Sequence, residues 1–421
     1  MDNVNYATRR DLIYGPLREE GVFTWDWMYG EEYALATIHT ITPEQRRELS
    51  DATEKLGRIF HKVVRIVQQA PDSLLLELGI PEAALGAVRV LVSEDVPTLI
   101  GRFDFASTPD GLKMLEFNSD TPTSIVEAFH VNGHVCEQFG VQDPNTGMKQ
   151  HLRDGFQRLM NRYAELGYRT EEVYFSALDW HEEDAGTTKF LLQQSGIEQA
   201  QFVALSDLRY YEDKLAAYKS FGDEWELHRI DVLYRLHALE KLAEECDEEG
   251  FPTGSHVLDL IACQRLAIIN PPQGFIAQTK ALQALIWNLH EAHEFFTDEE
   301  HDVIHRYMLP TYLENRFLGQ SSYVTKPIFG REGGGVVLRD ADGQAEEQDA
   351  EEFYWEQPMI YQQRVELEPI AVETLRGNYD GHLLWGSFLI DGRASAIVAR
   401  VGGKITGNLS YYLPVGVKQP D

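Results

Sequence analysis

Residues 101–118 read GRFDFASTPDGLKMLEFN, two runs of alternating polar and apolar residues on either side of a Pro-Asp-Gly turn. Because side chains of a β-strand point alternately to opposite faces, we expect a hairpin with one polar and one apolar face. A hairpin folded about this turn places Asp104 opposite Glu116. It likewise places Arg102 opposite Asn118, with cross-strand Cβ atoms about 5 Å apart. A shift of the register by one residue would separate these polar pairs.

The polar face of this hairpin has the composition of a site for a hard cation. Asp104, Glu116 and Asn118 offer oxygen ligands, which Mg²⁺ prefers and usually shares with substrate phosphate. Arg102 beside them can steady the phosphate. An ordinary hairpin with a solvated face and a cross-strand ion pair has the same pattern, so both interpretations stay open on periodicity alone.

Two other regions have clear periodic patterns. Apolar residues recur at helical spacing over residues 42–69, which predicts one long amphipathic helix. Residues 155–234 alternate between helical patterns and the apolar runs 173–177 and 230–234, as expected for a parallel, Rossmann-like α/β lobe. The acidic and then Pro- and Gly-containing residues 244–255 predict an exposed connection behind this lobe.

A glycine-rich segment is a second candidate site. Residues 322–337 read SYVTKPIFGREGGGVV, which predicts a strand, a glycine loop and a second strand. Backbone N–H groups at Gly333 and Gly334 can approach phosphate oxygens, and Lys326 on the first strand can neutralise their charge. A plain hairpin turn fits the same residues, and the loop lacks the Gly-Lys-Ser or Gly-Lys-Thr ending of P-loop enzymes.

The composition limits the kinds of partner. The formal net charge is −31, which disfavours nucleic acid because binding its phosphates requires clustered Lys and Arg. No apolar run approaches the roughly 20 residues of a membrane span. The first residues have neither the basic start nor the apolar run of a secretory signal, and the three cysteines lack metal-ligand or disulfide spacing. We therefore expect a cytoplasmic protein whose acidic surface either concentrates a cationic substrate or only aids solubility.

The hairpin motif also carries a family resemblance. Arg-x-Asp, eleven residues, Glu-x-Asn and then residues 119–124, SDTPTS, resemble the motif of the glutathionylspermidine synthase family. The resemblance implies that Asp104, Glu116 and Asn118 ligate Mg²⁺, with two ions expected. It further implies that Arg102 contacts the ATP phosphates and acts in catalysis.

The same resemblance extends to residues that would contact substrate and nucleotide. Hydroxyl residues after the motif contact the thiol-tripeptide substrate in that family, and Thr121 and Thr123 stand in those places. Lys280 opens a helical stretch as a nucleotide-contacting lysine of the family does, although a helix-surface lysine would look alike. The Lys-Pro and glycine hairpin, followed by a strand with Gln362 and Gln363 that would border the adenine, resembles the ATP-grasp arrangement.

Two acidic residues are candidates for the substrate side. Glu182 and Glu183 follow the first strand of the parallel lobe, at the end where open parallel sheets bind ligands. Two neighbouring glutamates near this point contact the substrates in the resembling enzymes, and acids here could hold a polyamine cation. A solvated helix start would contain the same acidic run.

The resemblance implies a mixed α+β and α/β fold, an ATP-grasp core with an inserted or adjoining Rossmann-like lobe. We expect residues 1–150 to form the N-terminal helices and metal-motif hairpin of the core. Residues 151–270 would form the substrate lobe, and residues 271–421 the nucleotide-binding region. The implied activity is an ATP- and Mg²⁺-dependent ligase that joins a glutathione-like carboxylate to a polyamine-like amine through an acyl phosphate.

The chain departs from the resembling enzymes in two respects. We expect no room for the amidase domain that the bifunctional enzymes carry ahead of the synthetase. A complete set of glutathione contacts also cannot be matched outside the metal motif. Two alternatives therefore stay open. One is an ATP-grasp ligase that joins a different acid and amine or amino acid, and the other is a nucleotide-binding protein without turnover.

Overall fold

The computed structural model of the protein describes residues 4–221, 224–293, 295–331, 333–349, 357–407 and 409–418. These residues form a mixed α/β structure with a four-stranded parallel sheet, a two-stranded parallel sheet and several antiparallel sheets. Among them, no helix has both the length and the apolar composition required to cross a membrane.

The N-terminal part consists of helices and one long hairpin. The predicted long helix is confirmed as α2, whose N-terminus is closed by a capping box between Thr42 and Gln45. Its buried apolar stripe packs on the hairpin β4–β5. The elements of this part are α1 (Tyr6–Glu19), β1 (Trp27–Met28), β2 (Glu31–Glu32), β3 (His39–Ile41), α2 (Pro43–Val67), α3 (Asp72–Glu77), α4 (Leu85–Val88), β4 (Ile100–Thr108), β5 (Gly111–Asn118), α5 (Asn132–Phe139) and α6 (Lys149–Glu165).

The middle part contains a parallel sheet, as the sequence predicted. Its strand order is β12-β11-β6-β7, and an antiparallel sheet β10-β9-β8 that the sequence pattern did not predict precedes β11. The elements are β6 (Val173–Ala177), α7 (Glu182–Ser195), β7 (Gln201–Ala204), β8 (Leu208–Tyr211), β9 (Lys214–Phe221), β10 (Glu224–Arg229), β11 (Val232–Arg235), α8 (Leu239–Leu242), α9 (Thr253–Ala262) and β12 (Ala267–Ile269).

The C-terminal part contributes to two antiparallel sheets. One has the order β13-β17-β14-β15-β16, and the other, β21-β20-β19-β4-β5 with β18 beside β19, includes the N-terminal hairpin. The elements are α10 (Phe275–Gln278), α11 (Lys280–Ala292), α12 (Asp298–Tyr307), β13 (Thr311–Tyr312), β14 (Tyr323–Pro327), β15 (Val337–Arg339), β16 (Ala345–Gln348), β17 (Met359–Gln363), β18 (Pro369–Thr374), β19 (Gly377–Ile390), β20 (Arg393–Gly402), β21 (Tyr411–Leu413) and β22 (Val415–Val417).

The hairpin β4–β5 has the register that the sequence predicted. Asp104 pairs with Glu116 and Arg102 with Asn118, but only because a bulge at Leu115 shifts the register set by the turn. On the opposite face, the rings of Phe103 and Phe117 stack with centroids 3.9 Å apart. Their centroids lie 5.6 and 5.1 Å from that of Phe60 on α2. The apolar face therefore packs the hairpin against α2, and the polar face is directed toward a cavity.

Candidate active site

A cavity of about 350 Å³ lies where the two antiparallel sheets and the carboxyl ends of β6 and β11 meet. Ligand sites of small-molecule enzymes are typically concave and of this size range. Residues singled out in the sequence come together here from distant segments. Those lining the cavity are Arg102, Asp104, Glu116, Asn118, Thr121, Thr123, Glu183, Lys280, Lys326, Gly333, Gly334, Gln362 and Gln363.

Asp104 lies between two arginines in this cavity. Arg102 donates to Asp104 Oδ1 and Oδ2 at 2.6 and 3.0 Å, and Arg400 Nη2 donates to Oδ2 at 2.9 Å. Arg102 also donates to the carbonyl oxygen of Thr123 at 2.8 Å. Burial alone would lower the pKa of Arg102, but the paired Asp104 raises it instead, so the guanidinium stays charged. Arg400 was not predicted from the sequence.

Two lysines from separate segments stabilise the charge of Glu116. Lys280 Nζ lies 3.0 Å from Glu116 Oε2 and donates to the carbonyl oxygen of Gly330 at 2.6 Å. Lys280 is buried, so the alternative of a helix-surface lysine is wrong. Burial alone would raise the pKa of Glu116, but Lys280 and Lys326 lower it to about 2. Burial lowers the pKa of Lys326 to about 8, so its charge is sensitive to what the cavity contains.

The three oxygen ligands proposed for Mg²⁺ lie side by side on β4 and β5. Asn118 Nδ2 donates to Glu116 Oε1 at 3.3 Å, so its amide oxygen remains an acceptor. The described residues contain no group of three or more His, Cys, Asp or Glu side chains able to hold a metal. The candidate donor set on β4 and β5 is therefore two carboxylates and the amide of Asn118. Basic side chains now balance both carboxylates. If a divalent cation bound here together with a polyphosphate, the cation would balance the carboxylates and the phosphates would balance the basic side chains. The donor set therefore fits Mg²⁺.

The glycine loop between β14 and β15 packs against neighbouring loops. Gly333 has φ +77°, and a Cβ atom there would lie 2.5 Å from the carbonyl oxygen of Thr406. Arg331 donates to Thr121 Oγ1 at 2.8 Å and forms a bidentate ion pair with Glu240 at the start of α8. The loop therefore contacts the residues after the metal motif and the parallel lobe. Arg331 and Glu240 had no role in the sequence prediction.

Alanine at Gly333 is expected to weaken Mg·ATP binding about tenfold. An L-residue with positive φ costs roughly 1–2 kcal/mol, and the added Cβ also collides with a backbone oxygen that cannot rotate away. Isothermal titration with Mg·ATP measures the change. Gly319 is a matched control because it has φ +75° and open space where a Cβ atom would be added. Equal affinities of Gly333→Ala and Gly319→Ala would contradict the proposed role of the loop.

The two acidic candidates of the parallel lobe are separated by the structure. Glu183 is buried and lines the cavity together with Asp184, whereas Glu182 is exposed and lies outside the cavity lining. Both glutamates lie in the first turn of α7, where the helix N-terminus favours negative charge. Glu183 thus remains a candidate substrate contact, and Glu182 has the environment of a solvated helix start.

A buried ion pair joins the metal motif to the parallel sheet. Arg235 at the end of β11 donates to Asp120 Oδ1 at 2.6 Å and Oδ2 at 3.2 Å, and Leu239 N donates to Oδ2 at 3.0 Å. Asn270, just after β12, donates to the carbonyl oxygens of Ile100 and Asp120 at 2.8 and 2.6 Å. These contacts fix the segment after β5 against the carboxyl ends of the parallel strands.

Gln362 on β17 lines the cavity and contacts Lys326. Its side chain is buried, and Oε1 accepts a hydrogen bond from Lys326 Nζ at 2.7 Å. Gln362 Nε2 donates to Thr311 Oγ1 at 3.2 Å. Gln362 therefore orients Lys326 in the cavity, while Gln363, the next residue, is exposed and lies at the cavity wall.

Comparison with known proteins finds relatives of this chain in bacteria. A Haemophilus influenzae protein whose name assigns it provisionally as an acid–amine ligase is 27% identical over 332 residues, covering 76% of this chain and 74% of that protein. The bifunctional glutathionylspermidine synthetase/amidase of Escherichia coli is 25% identical over 375 residues. That match covers 83% of this chain and 56% of the relative, so the chain spans little more than half of the bifunctional protein.

A solved structure shares the fold across the whole chain. A glutathione synthetase like-effector from Globodera pallida, in its apo form, superposes with a TM-score of 0.58 at 12% identity, covering 97% of this chain and 98% of that chain. The family model described as glutathionylspermidine synthase preATP-grasp matches residues 8–418. The chain therefore belongs to the glutathionylspermidine synthase preATP-grasp family.

Proposed function

We propose that this chain is an ATP- and Mg²⁺-dependent carboxylate–amine ligase that forms an amide bond through an acyl phosphate and releases ADP and phosphate. The observation that carries the proposal is the placement of Asp104, Glu116 and Asn118 beside Lys280 and Lys326 in one cavity. Carboxylate ligands and basic side chains are both required to hold a metal-bound polyphosphate. Membership of a ligase family supports the same reaction class.

The charge of the cavity supports a polyphosphate ligand. Of the described residues that line it, eight are lysine or arginine and five are aspartate or glutamate. The whole chain has a net charge of −31, so this is a basic cavity within an acidic protein. Such a distribution concentrates small anions at the site while the acidic exterior repels large ones.

The residues of the chain have separable roles in this proposal. Asp104, Glu116 and Asn118 would hold Mg²⁺, which when bound withdraws charge from the polyphosphate and aligns it for phosphoryl transfer. Lys280 and Lys326 offset the charge that develops on the transferred phosphoryl group. Arg102 and Arg400, already oriented by Asp104, offer further donors beside it. Such transfer depends on positioned charge and needs no protein nucleophile.

The finer architecture belongs to the same proposal. Residues 1–150 and 271–421 would form an ATP-grasp core, with residues 151–270 as an adjoining Rossmann-like substrate lobe. The acid would be a glutathione-like peptide in contact with Thr121 and Thr123, both of which line the cavity. The amine would be polyamine-like, with its cationic groups near the carboxylates at the start of α7.

The experiment that tests the function measures phosphate release from Mg·ATP with a panel of peptide carboxylates and amines, including glutathione and spermidine. We expect release that requires one acid and one amine together, and mass spectrometry of the product should show their sum less one water. A Lys326→Met variant should bind Mg·ATP more weakly and lose release.

Each result identifies one interpretation. Release with an acid and amine other than glutathione and spermidine would keep the ligase and reassign its substrates. Tight binding of Mg·ATP without release for any pair would favour a nucleotide-binding protein without turnover. Absence of ATP binding by the unmodified protein would overturn the proposal.

A further inference from the structure

Part of the cavity wall is apolar and comes from both antiparallel sheets. An apolar slot between two sheets suits a flat aromatic ring, such as the base of a nucleotide. Its members are Leu115, Val324, Val336, Leu338, Val365, Leu367 and Leu384.

His382 adjoins this slot on β19. In the register of the sheet, His382 pairs with Gly402, Leu384 with Arg400, and Gly386 with Asp104. Residues two apart on a strand share a face, so His382 lies on the same face as Leu384 and Gly386. His382 and Leu384 both line the cavity. The imidazole is therefore on the side of the sheet that carries Asp104 and its arginines.

The imidazole has an unmet hydrogen-bonding group. His382 Nδ1 is buried and has no hydrogen-bond partner within the described part of the chain. Buried polar side-chain atoms are usually paired, because an unpaired one has lost its hydrogen bonds to water without replacement. A ring nitrogen at the wall of a ligand cavity can regain a hydrogen bond when a ligand supplies the partner.

We propose that His382 hydrogen-bonds through Nδ1 to the nucleoside half of bound ATP and so contributes to nucleotide selection. This inference rests on the proposed function, because it takes ATP to be the ligand of the cavity. Both a ribose hydroxyl and a polar atom of the base are partners of the right chemistry. His382 is thus a specificity residue of the nucleotide site, distinct from the charged groups that hold the phosphates.

A binding cycle with nucleotide analogues tests the contact. Isothermal titration would compare Mg·ATP with 2′-deoxyATP, 3′-deoxyATP and inosine triphosphate on the unmodified protein and on His382→Phe, which keeps an aromatic ring without nitrogen. We expect His382→Phe to bind ATP roughly three- to tenfold more weakly. The analogue that lacks the partner group should lose a similar factor on the unmodified protein and lose nothing further on the variant.

Two further variants keep the outcome decisive. His382→Asn places an amide atom on Cγ, where Nδ1 is attached, and should retain most of the affinity even if the phenylalanine variant is unstable. His305→Phe, at an exposed position of α12, should behave as the unmodified protein with every analogue. Equal affinity of His382→Phe and the unmodified protein, or the same loss with all nucleotides, would overturn the inference while leaving the ligase proposal in place. Absence of ATP binding by the unmodified protein would overturn both.

Discussion

Replacing Glu116 with glutamine is expected to lower Mg·ATP-dependent phosphate release about a hundred- to a thousandfold, with the fold preserved. Glu116 is ionised, with a pKa of about 2, and its side chain contacts Lys280 and Asn118. Glutamine has nearly the same shape but no charge, so it leaves a proposed metal site with a single carboxylate. Two lysines would also lose the group that balances them.

The measurement is steady-state phosphate release over a range of Mg²⁺ concentrations, beside thermal unfolding of each protein. Partial rescue of Glu116→Gln by high Mg²⁺ would locate the defect in metal binding. Glu137→Gln, at an exposed position of α5, is the matched control and should keep full activity. If Glu116→Gln retained more than about a tenth of the release, Glu116 would be no metal ligand.

Replacing Asp120 with asparagine is expected to lower the free energy of unfolding by about 3–5 kcal/mol. Asp120 and Arg235 each have 2% of their side chain exposed, so the variant leaves a guanidinium buried without its counter-charge. Burial alone would raise the pKa of Asp120, but Arg235 lowers it below its usual value. Removing one partner of a buried pair costs more than the pair itself contributes.

The effect of Asp120→Asn has a predictable pH dependence. Because the folded-state pKa lies below the unfolded value near 3.9, the stabilisation is fully present above that value and lost as pH falls through the folded-state pKa. The difference in unfolding free energy between the two proteins should therefore be constant from pH 6 to 8 and shrink below about pH 4.

Urea denaturation at several pH values measures this difference. Asp51→Asn is the control, because Asp51 pairs with Lys55 at 2.6 Å on the exposed face of α2, with 52% of its own side chain exposed. Its loss should be below about 1 kcal/mol. A similar small loss for Asp120→Asn would show that the buried pair stabilises the fold no more than an exposed pair does.

Local sequence patterns were sufficient for the elements that form between near neighbours. Apolar spacing over residues 42–69 predicted α2. The register of β4–β5 was also predicted, although it depends on a bulge that the alternation did not show. The antiparallel sheet β8–β10 was missed, because its half-exposed strands lack a continuous apolar run.

The residues of the candidate site also fall into a group that local sequence predicted and a group that only the tertiary structure brought into the cavity. By itself the sequence determined the metal-motif hairpin, the glycine loop and their basic residues. Each set lies within one short segment, where the alternation of polar and apolar residues and the turn residues predict the local structure. Only the tertiary structure decided that Arg400 and His382 join them and that Glu182 does not. The physical reason is strand order: β19 and β20 pair beside β4 although they lie far from it along the chain, and no local pattern encodes which distant strands share an edge.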